Sequence, residues 1–341
     1  MTKADTKPAG SKPAGLLAID AEMARQHGDA LASFDPAKAE GLAQAIRSTG
    51  RLLMLGMGGS HAVARMVEPL YRDLGIDALA LPLSEQLGAP LPSAGRTVLV
   101  TSQSGESAEV IRWFDIPGHP AEVFGMTLEG GSFLARLAPS LVGHGGSEHA
   151  FAATRSLTVT LALHLSVLAA LGVDAAPALA ALRAPEAPDV APALTALANV
   201  RGVVTSGRRL HGVAEALALG LTELSQRPCF SLEGGQLRHG PMEMLGPDLG
   251  VILFRGDDPT APLVTTMAQS VAQTGSPLVI FDASGLTPVE GAVTIPFTRA
   301  SGLGAVFAML PTAQRLMIDF AAARVANAGT PVRSTKITRT E

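Results

Sequence analysis

The chain has 341 residues, a net charge of −4, and 47% hydrophobic against 16% charged residues. This length allows two domains of ordinary size, and the composition is typical of a globular protein with a large core. The acidic balance provides no positive field for nucleic acid, and no apolar run reaches the roughly 18 residues that span a bilayer. The single cysteine, Cys229, excludes an internal disulfide and a paired-cysteine metal or redox motif.

The N-terminal part of the chain divides into a polar segment and a helical one. Residues 1–14 are polar and contain no apolar core of a signal peptide, so we expect a mobile tail and a cytoplasmic protein. Residues 15–35 have helical spacing and are expected to pack as an arm on the body of the protein.

Short apolar runs alternate with helical segments throughout the next part, 36–178. This alternation favours a mainly parallel sheet with helices on both faces. Strands are predicted at 52–55, 78–81, 97–101 and 121–127, and helices are predicted to end at Gly75 and to span 108–114 and 154–171.

An Ala/Pro-rich segment at 172–194 marks a junction, after which 190–328 repeats the same scheme. Strands are predicted within 201–208, 249–257 and 277–282, with helices at 211–227 and 307–329, the last stopping at Gly329. The predicted fold is therefore α/β: two tandem three-layer αβα domains, followed by a C-terminal tail at 329–341.

A run of hydroxyl side chains, "SQSGES", follows the predicted strand 97–101 and precedes a helix. A helix N-terminus attracts anions, and serine hydroxyls add donors. The loop has no Lys or Arg and lacks the glycine patterns of nucleotide-binding loops, so a sugar phosphate fits better than a nucleotide. The alternative is simple helix capping by Ser104 or Ser107.

Three further groups are candidates for the same site. Ser60, in the glycine-rich turn "GMGGSHA", can add a hydroxyl, although such turns are common. Glu223 on a helix and His239 in a loop, 16 residues apart, are the carboxylate and imidazole that proton transfer beside a carbonyl needs. Each residue also has a purely structural interpretation. Glu223 can be a solvated helix residue, and His239 can hydrogen-bond its own loop. No spacing suits a metal, and we expect no metal or other cofactor.

Together, "SQSGES", "GMGGSHA", the Glu223–His239 spacing and the C-terminal "PVRSTKITRTE" resemble the sugar isomerase (SIS) family over residues 15–341. The likeness is greatest to the tandem-SIS isomerase half of glucosamine-6-phosphate synthase and to SIS-type deaminases. It implies a homodimer with shared active sites, in which His239 opens the sugar ring in the neighbouring subunit's site. It also implies that Glu223 moves a proton between C1 and C2, and that Lys336 closes over the substrate. The phosphate would be bound by Ser60, Ser102, Gln103, Ser104 and Ser107.

The sequence also departs from the synthase pattern. Gly220 stands where the synthases have a lysine, Ala216 (with Glu215 beside it) replaces a glutamate, and Arg155 replaces a lysine. The sugar can therefore differ from that of the synthases. The chain also contains no glutamine-hydrolysing domain with an N-terminal cysteine, so we expect no glutaminase activity.

The resemblance implies an enzyme of amino sugar metabolism that binds a carbohydrate derivative. The expected reaction is isomerisation with hydrolytic deamination of glucosamine 6-phosphate to fructose 6-phosphate and ammonia. A simple phosphosugar isomerase, a fructosamine-6-phosphate deglycase and a non-catalytic sugar-phosphate sensor remain alternatives. The expected partners are the sugar phosphate and a second copy of the chain, without nucleic acid or membrane.

Overall fold

The computed structural model of the protein describes residues 12–117 and 122–339. Most of the predicted mobile tail 1–14 therefore lies outside the described residues. The same is true of Ala121, the expected start of one strand, and of Glu341 at the end of the C-terminal motif.

The first half of the chain forms a five-stranded parallel sheet in the order β2-β1-β3-β4-β5. The central strands are buried almost throughout, as expected for a sheet covered on both faces. The elements are α1 (Ala14–Ser33), α2 (Pro36–Thr49), β1 (Arg51–Gly56), α3 (Gly59–Asp73), β2 (Asp77–Pro82), α4 (Glu85–Gly88), β3 (Thr97–Thr101), α5 (Ala108–Asp115), β4 (Val123–Thr127), α6 (Phe133–Leu137), β5 (Ser140–Val142) and α7 (Arg155–Ala170).

The second half forms another five-stranded parallel sheet, in the order β7-β6-β8-β9-β10. This is the strand order of the first sheet repeated, and it confirms the α/β fold predicted from the sequence. The elements are α8 (Ala176–Arg183), α9 (Ala191–Ala196), β6 (Gly202–Gly207), α10 (His211–Ser225), β7 (Cys229–Glu233), α11 (Gly234–Arg238), a short 3-10 turn at Pro241–Met244, β8 (Leu249–Arg255), α12 (Ala261–Ala272), β9 (Leu278–Asp282), β10 (Ala292–Pro296) and α13 (Gly302–Ala322).

The two halves are joined through one hydrophobic core that contains apolar residues of both sheets. Helices α3 and α10, each following the first strand of its sheet, pack so closely that a Cβ on Gly212 would lie 2.4 Å from the backbone nitrogen of Met66. Helix α10, which carries Glu223, is thereby fixed against α3 of the first half. None of the described helices is both long enough and apolar enough to cross a membrane.

The closing helix ends earlier than predicted. It was expected to continue to Gly329, but α13 stops at Ala322. The chain then turns, and Gly329, with φ +82°, lies against the start of α1, where a Cβ on Gly15 would come within 2.3 Å of the Gly329 carbonyl carbon. This contact directs the following residues towards the first sheet.

Candidate active site

The main cavity lies at the carboxyl ends of β1 and β3, where the strand order of the first sheet reverses direction. This is the usual ligand position in open α/β sheets. The cavity has a volume of about 360 Å³, which lies in the range of small-ligand sites. Its walls are the loops after β1 and β3, the start of α7, the end of α10 and the tail residues Ser334–Thr338.

The hydroxyl-rich loop after β3 is held in a single tight conformation. Gly105 has φ +64°, and a Cβ there would lie 2.2 Å from Ser132 Oγ, so only glycine fits without movement. Ser102 Oγ accepts from the Gly105 N–H (3.1 Å), and Ser104 Oγ accepts from the Glu106 N–H (3.2 Å). Ser107 is the N-cap of α5 but its side chain makes no capping hydrogen bond. The alternative role of Ser107, capping of α5 by its hydroxyl group, is therefore not seen in the structure.

Three buried polar atoms around the cavity have no hydrogen-bond partner among the described residues. They are Thr101 Oγ1, Gln103 Nε2 and Glu109 Oε2, and all three residues line the cavity. Buried polar groups are nearly always hydrogen-bonded, so these three atoms are polar groups beside the cavity whose hydrogen bonds are unmade in this structure. Gln103 was predicted from the sequence, whereas Thr101 and Glu109 were not.

The glycine-rich turn after β1 forms the neighbouring wall. Gly58 has φ +51° and precedes α3, and Ser60 in the first turn of that helix lines the cavity. A Cβ on Gly56 would lie 3.0 Å from the Ser60 side chain, so the small residue allows the close turn. All five residues predicted to bind phosphate thus line one cavity.

Glu223 lies near the end of α10 and lines the same cavity. Burial raises the pKa of its carboxyl group to about 7; the nearby Lys336 ammonium opposes the rise and the Glu148 carboxylate adds to it. A carboxyl group with a pKa near neutrality can both accept and donate a proton under ordinary conditions.

Glu148, which the sequence did not single out, connects the catalytic candidates. Its carboxylate is buried and accepts from the Thr154 and Arg155 backbone N–H groups, each at 2.9 Å, at the start of α7. Its second oxygen lies 3.4 Å from Lys336 Nζ. No local motif marks this glutamate, because its partners lie on α7 and on the tail.

The C-terminal tail covers the cavity. Lys336 Nζ donates to the Phe151 carbonyl (3.4 Å) as well as to Glu148. The Ala108 N–H, at the start of α5, donates to the Thr338 carbonyl at 3.0 Å. These contacts place a tail lysine beside Glu223 and close one side of the cavity.

His239 is not brought to this cavity. It lies exposed at the end of α11 and is not among the lining residues. Its predicted role in the site of a neighbouring subunit therefore stays a prediction.

The departures from the synthase pattern have structural counterparts. A Cβ on Gly220 would lie 2.2 Å from Met317 Sδ, so a lysine there requires movement of α13 side chains. Arg155 is fully buried, and its guanidinium bonds Glu22 (2.6 Å) and Asp29 (3.2 Å) on α1. Its ion pairs join the helical arm α1 to α7, and Arg155 is not among the residues that line the cavity.

Another ionic cluster lies between α3 and α10, outside the cavity. Glu215, the neighbour of Ala216, pairs with His211 at 3.0 Å and with Arg65 at 3.7 Å. Across residues 12–117 and 122–339, no group of three or more His, Cys, Asp or Glu side chains is placed to hold a metal ion.

Comparisons with known proteins agree with this fold. No protein-family model matches the chain. The two halves together correspond to an SIS-like α/β fold. The chain superposes on the C-terminal domain of glucosamine-fructose-6-phosphate aminotransferase from Francisella tularensis with a TM-score of 0.76 and 16% identity. The superposition covers 94% of this chain and 98% of that one. It superposes on glucosamine-6-phosphate deaminase from Thermotoga maritima with a TM-score of 0.72 and 19% identity, covering 95% and 99%.

The sequence itself is homologous to part of a curated protein. It is 27% identical over 301 residues to the isomerizing glutamine–fructose-6-phosphate aminotransferase of Lactiplantibacillus plantarum, covering 81% of this chain. The match covers 49% of that relative, so the chain spans about half the length of the aminotransferase.

Proposed function

We propose that the protein is a phosphosugar isomerase and deaminase that converts glucosamine 6-phosphate to fructose 6-phosphate and ammonia. The observation that carries the proposal is one cavity of about 360 Å³, which has hydroxyl donors at one wall and Glu223 at another. The similarity to an aminotransferase that is named for fructose 6-phosphate supports the same substrate class.

The substrate phosphate binds at the loop after β3. The donors are the hydroxyls of Ser102, Ser104 and Ser107, the Gln103 amide and the Ser60 hydroxyl, all at the cavity wall. The positive end of the α5 dipole adds to the attraction. No lysine or arginine is needed, because neutral donors at a helix N-terminus bind phosphate.

Glu223 transfers the proton on the ring-opened sugar. It removes the C2 proton of the aldehyde form and returns a proton to C1, which converts the C2 amine into a ketone imine. Water then adds to C2 and ammonia leaves, giving fructose 6-phosphate. The Glu223 pKa of about 7 suits both directions of transfer. The Lys336 ammonium stabilises the negative charge that develops on the C1 oxygen of the enolamine intermediate.

The direct test is replacement of the proposed base. Wild type in D2O should incorporate deuterium at C2 of glucosamine 6-phosphate and release ammonia. Glu223→Gln should lose both activities while it still binds the phosphosugar, as measured by calorimetry. Glu290→Gln, at an exposed position, is the matched control. Near-normal exchange in Glu223→Gln contradicts the assignment, and ligand stabilisation without any conversion in wild type indicates a sensor.

We further propose a homodimer in which His239 acts in the partner's site. The exposed position of His239, away from its own cavity, supports this arrangement. Mixing inactive Glu223→Gln and His239→Asn proteins, followed by subunit exchange, should restore about a quarter of the wild-type sites, because half of the dimers then contain one intact site. No recovery despite exchange contradicts a shared site.

A further inference from the structure

Glu148 lies next to the proposed catalytic groups but does not line the main cavity. It stands in the loop before α7, and its side chain is fully buried. It is absent from the residues that line the cavity, whereas Glu223 and Lys336 are among them. Any part that Glu148 has in the reaction therefore acts through a neighbouring group.

The two oxygens of the Glu148 carboxylate have different partners. Oε1 accepts from the Thr154 hydroxyl at 2.7 Å and from the Thr154 and Arg155 backbone N–H groups at 2.9 Å each. These bonds cap α7, because the N-cap residue Thr154 makes no capping bond with its own side chain. Oε2 accepts from the Ser156 hydroxyl and lies 3.4 Å from Lys336 Nζ. A role as a helix cap thus accounts for only one of the two oxygens.

Lys336 supplies the only positive charge that contacts this carboxylate within the described residues. The other four donors are neutral N–H and O–H groups. The nearby Arg155 guanidinium pairs with Glu22 and Asp29 on α1 instead. A buried carboxylate without a cationic partner is costly. Burial of Glu148 therefore favours the position of the tail in which the ammonium stays at Oε2.

Lys336 lies between two carboxylates and pairs with only one of them. It is the single lysine or arginine in the described wall of the main cavity. Among the ion pairs of the described residues, it is joined to Glu148 and not to Glu223. The Phe151 carbonyl, 3.4 Å from Nζ, is its second acceptor. The ammonium is thus fixed near the proposed base without a direct ion pair to it.

An ion pair between Lys336 and Glu223 would impair both groups. It would lower the pKa of the Glu223 carboxyl group, because an adjacent ammonium favours the ionised form. It would also occupy the ammonium that stabilises the charge on the C1 oxygen of the intermediate. The other cations near Glu223 are Arg227 and Arg333, which are exposed at a neighbouring cavity, where solvent screens their charge.

We propose, on the basis of the function proposed above, that Glu148 is a positioning residue for the proton transfer. Its Oε2 atom holds the Lys336 ammonium beside Glu223 and away from an ion pair with that base. The ammonium is thereby directed to the C1 oxygen of the substrate.

The test is Glu148→Gln, followed through the pH dependence of ammonia release from glucosamine 6-phosphate. The glutamine oxygen can accept the two backbone N–H groups of α7, and its NH2 group then faces Lys336. An NH2 group does not pair with an ammonium, so the lysine turns to Glu223. The acidic limb of the kcat/KM–pH profile should move down by about one pH unit.

The kinetic constants give a second readout of the same variant. At pH 8, kcat should fall at least roughly tenfold, because the ammonium no longer faces the C1 oxygen. KM should stay within about twofold, because the loop after β3 is unchanged.

Thr154→Val is the matched control. It removes one neutral hydrogen bond from Oε1 but leaves the charge of Glu148 and its contact with Lys336 in place. This variant should unfold at a lower temperature, with the acidic limb and kcat unchanged. If Glu148→Gln also changes only thermal unfolding, Glu148 is a helix cap and the inference is overturned.

A crystal structure of the wild type with fructose 6-phosphate, in the absence of ammonia, tests the contact even if Glu148→Gln does not fold. Lys336 Nζ should contact both Glu148 and the C1 oxygen of the sugar. A lysine that is paired with Glu223 in this complex overturns the inference.

The outcomes distinguish the two proposals. Wild-type turnover, combined with an acidic limb that stays in place or moves up in Glu148→Gln, overturns the positioning role and leaves the proposed function standing. A wild type that neither releases ammonia nor exchanges the C2 proton overturns the proposed function, and this inference with it.

Discussion

Replacement of Glu223 by glutamine should stabilise the protein at alkaline pH. The folded state raises the pKa of this carboxyl group from the ordinary 4.5 to about 7, mainly through burial. A raised pKa means that the folded state binds the proton more tightly than the unfolded chain does. Stability is therefore lost as the pH rises from 4.5 to 7, and the loss is complete above 7. At about 1.4 kcal/mol per pH unit, the loss amounts to about 3 kcal/mol.

Glutamine keeps the size of the side chain but carries no charge, so it avoids this loss. For a chain of this length the entropy of unfolding is about 0.7 kcal/mol per degree, so Tm of Glu223→Gln should exceed wild type by about 4 °C at pH 8. The difference should vanish near pH 4.5. Thermal unfolding followed by circular dichroism between pH 4.5 and 8 measures it, with Glu290→Gln as the exposed control. A difference that is the same at all pH values would refute a desolvated carboxyl group at 223.

Three more substitutions test the geometry around the site. Lys336→Met should move the acidic limb of the kcat/KM–pH profile upward, because the lysine lowers the pKa of Glu223; Lys336→Arg should leave the limb in place. Gly105→Ala should raise KM for phosphosugars roughly tenfold or more, because φ +64° and the Ser132 contact both oppose a Cβ; an unchanged KM would show that the loop does not bind phosphate. Arg155→Met should lower the free energy of unfolding by about 3–5 kcal/mol, because it leaves the buried Glu22 without its guanidinium partner. Chemical denaturation measures this, and a change below about 1 kcal/mol would contradict it.

Much of the fold is visible in the sequence because its sheets are buried on both faces. Such strands are continuous apolar runs, so β1, β3, β8 and β9 were all predicted. The edge strands β5, β7 and β10 are less apolar and only partly buried, and they were missed, whereas the edge strand β2 was predicted. The predicted end of the closing helix was wrong, because the apolar pattern of the sequence continues past Ala322, where α13 ends. The contact of Gly329 with Gly15 depends on the fold and is not visible in the sequence.

The site shows the same division between local and distant determinants. The hydroxyl-rich loop was predicted because a strand–loop–helix is a local feature, whereas the role of Glu223 was predicted through the family resemblance. Glu148 and Glu109 became candidates only when burial and unmade hydrogen bonds were known.

The most direct measurement is a crystal structure of Glu223→Gln with glucosamine 6-phosphate bound. A single sugar should span the main cavity, with its phosphate hydrogen-bonded to the side chains of Ser102, Ser104 and Ser107. C1 and C2 should lie against the residue at position 223. A phosphate bound elsewhere, or a sugar whose C1 and C2 face away from that position, would contradict the proposed function.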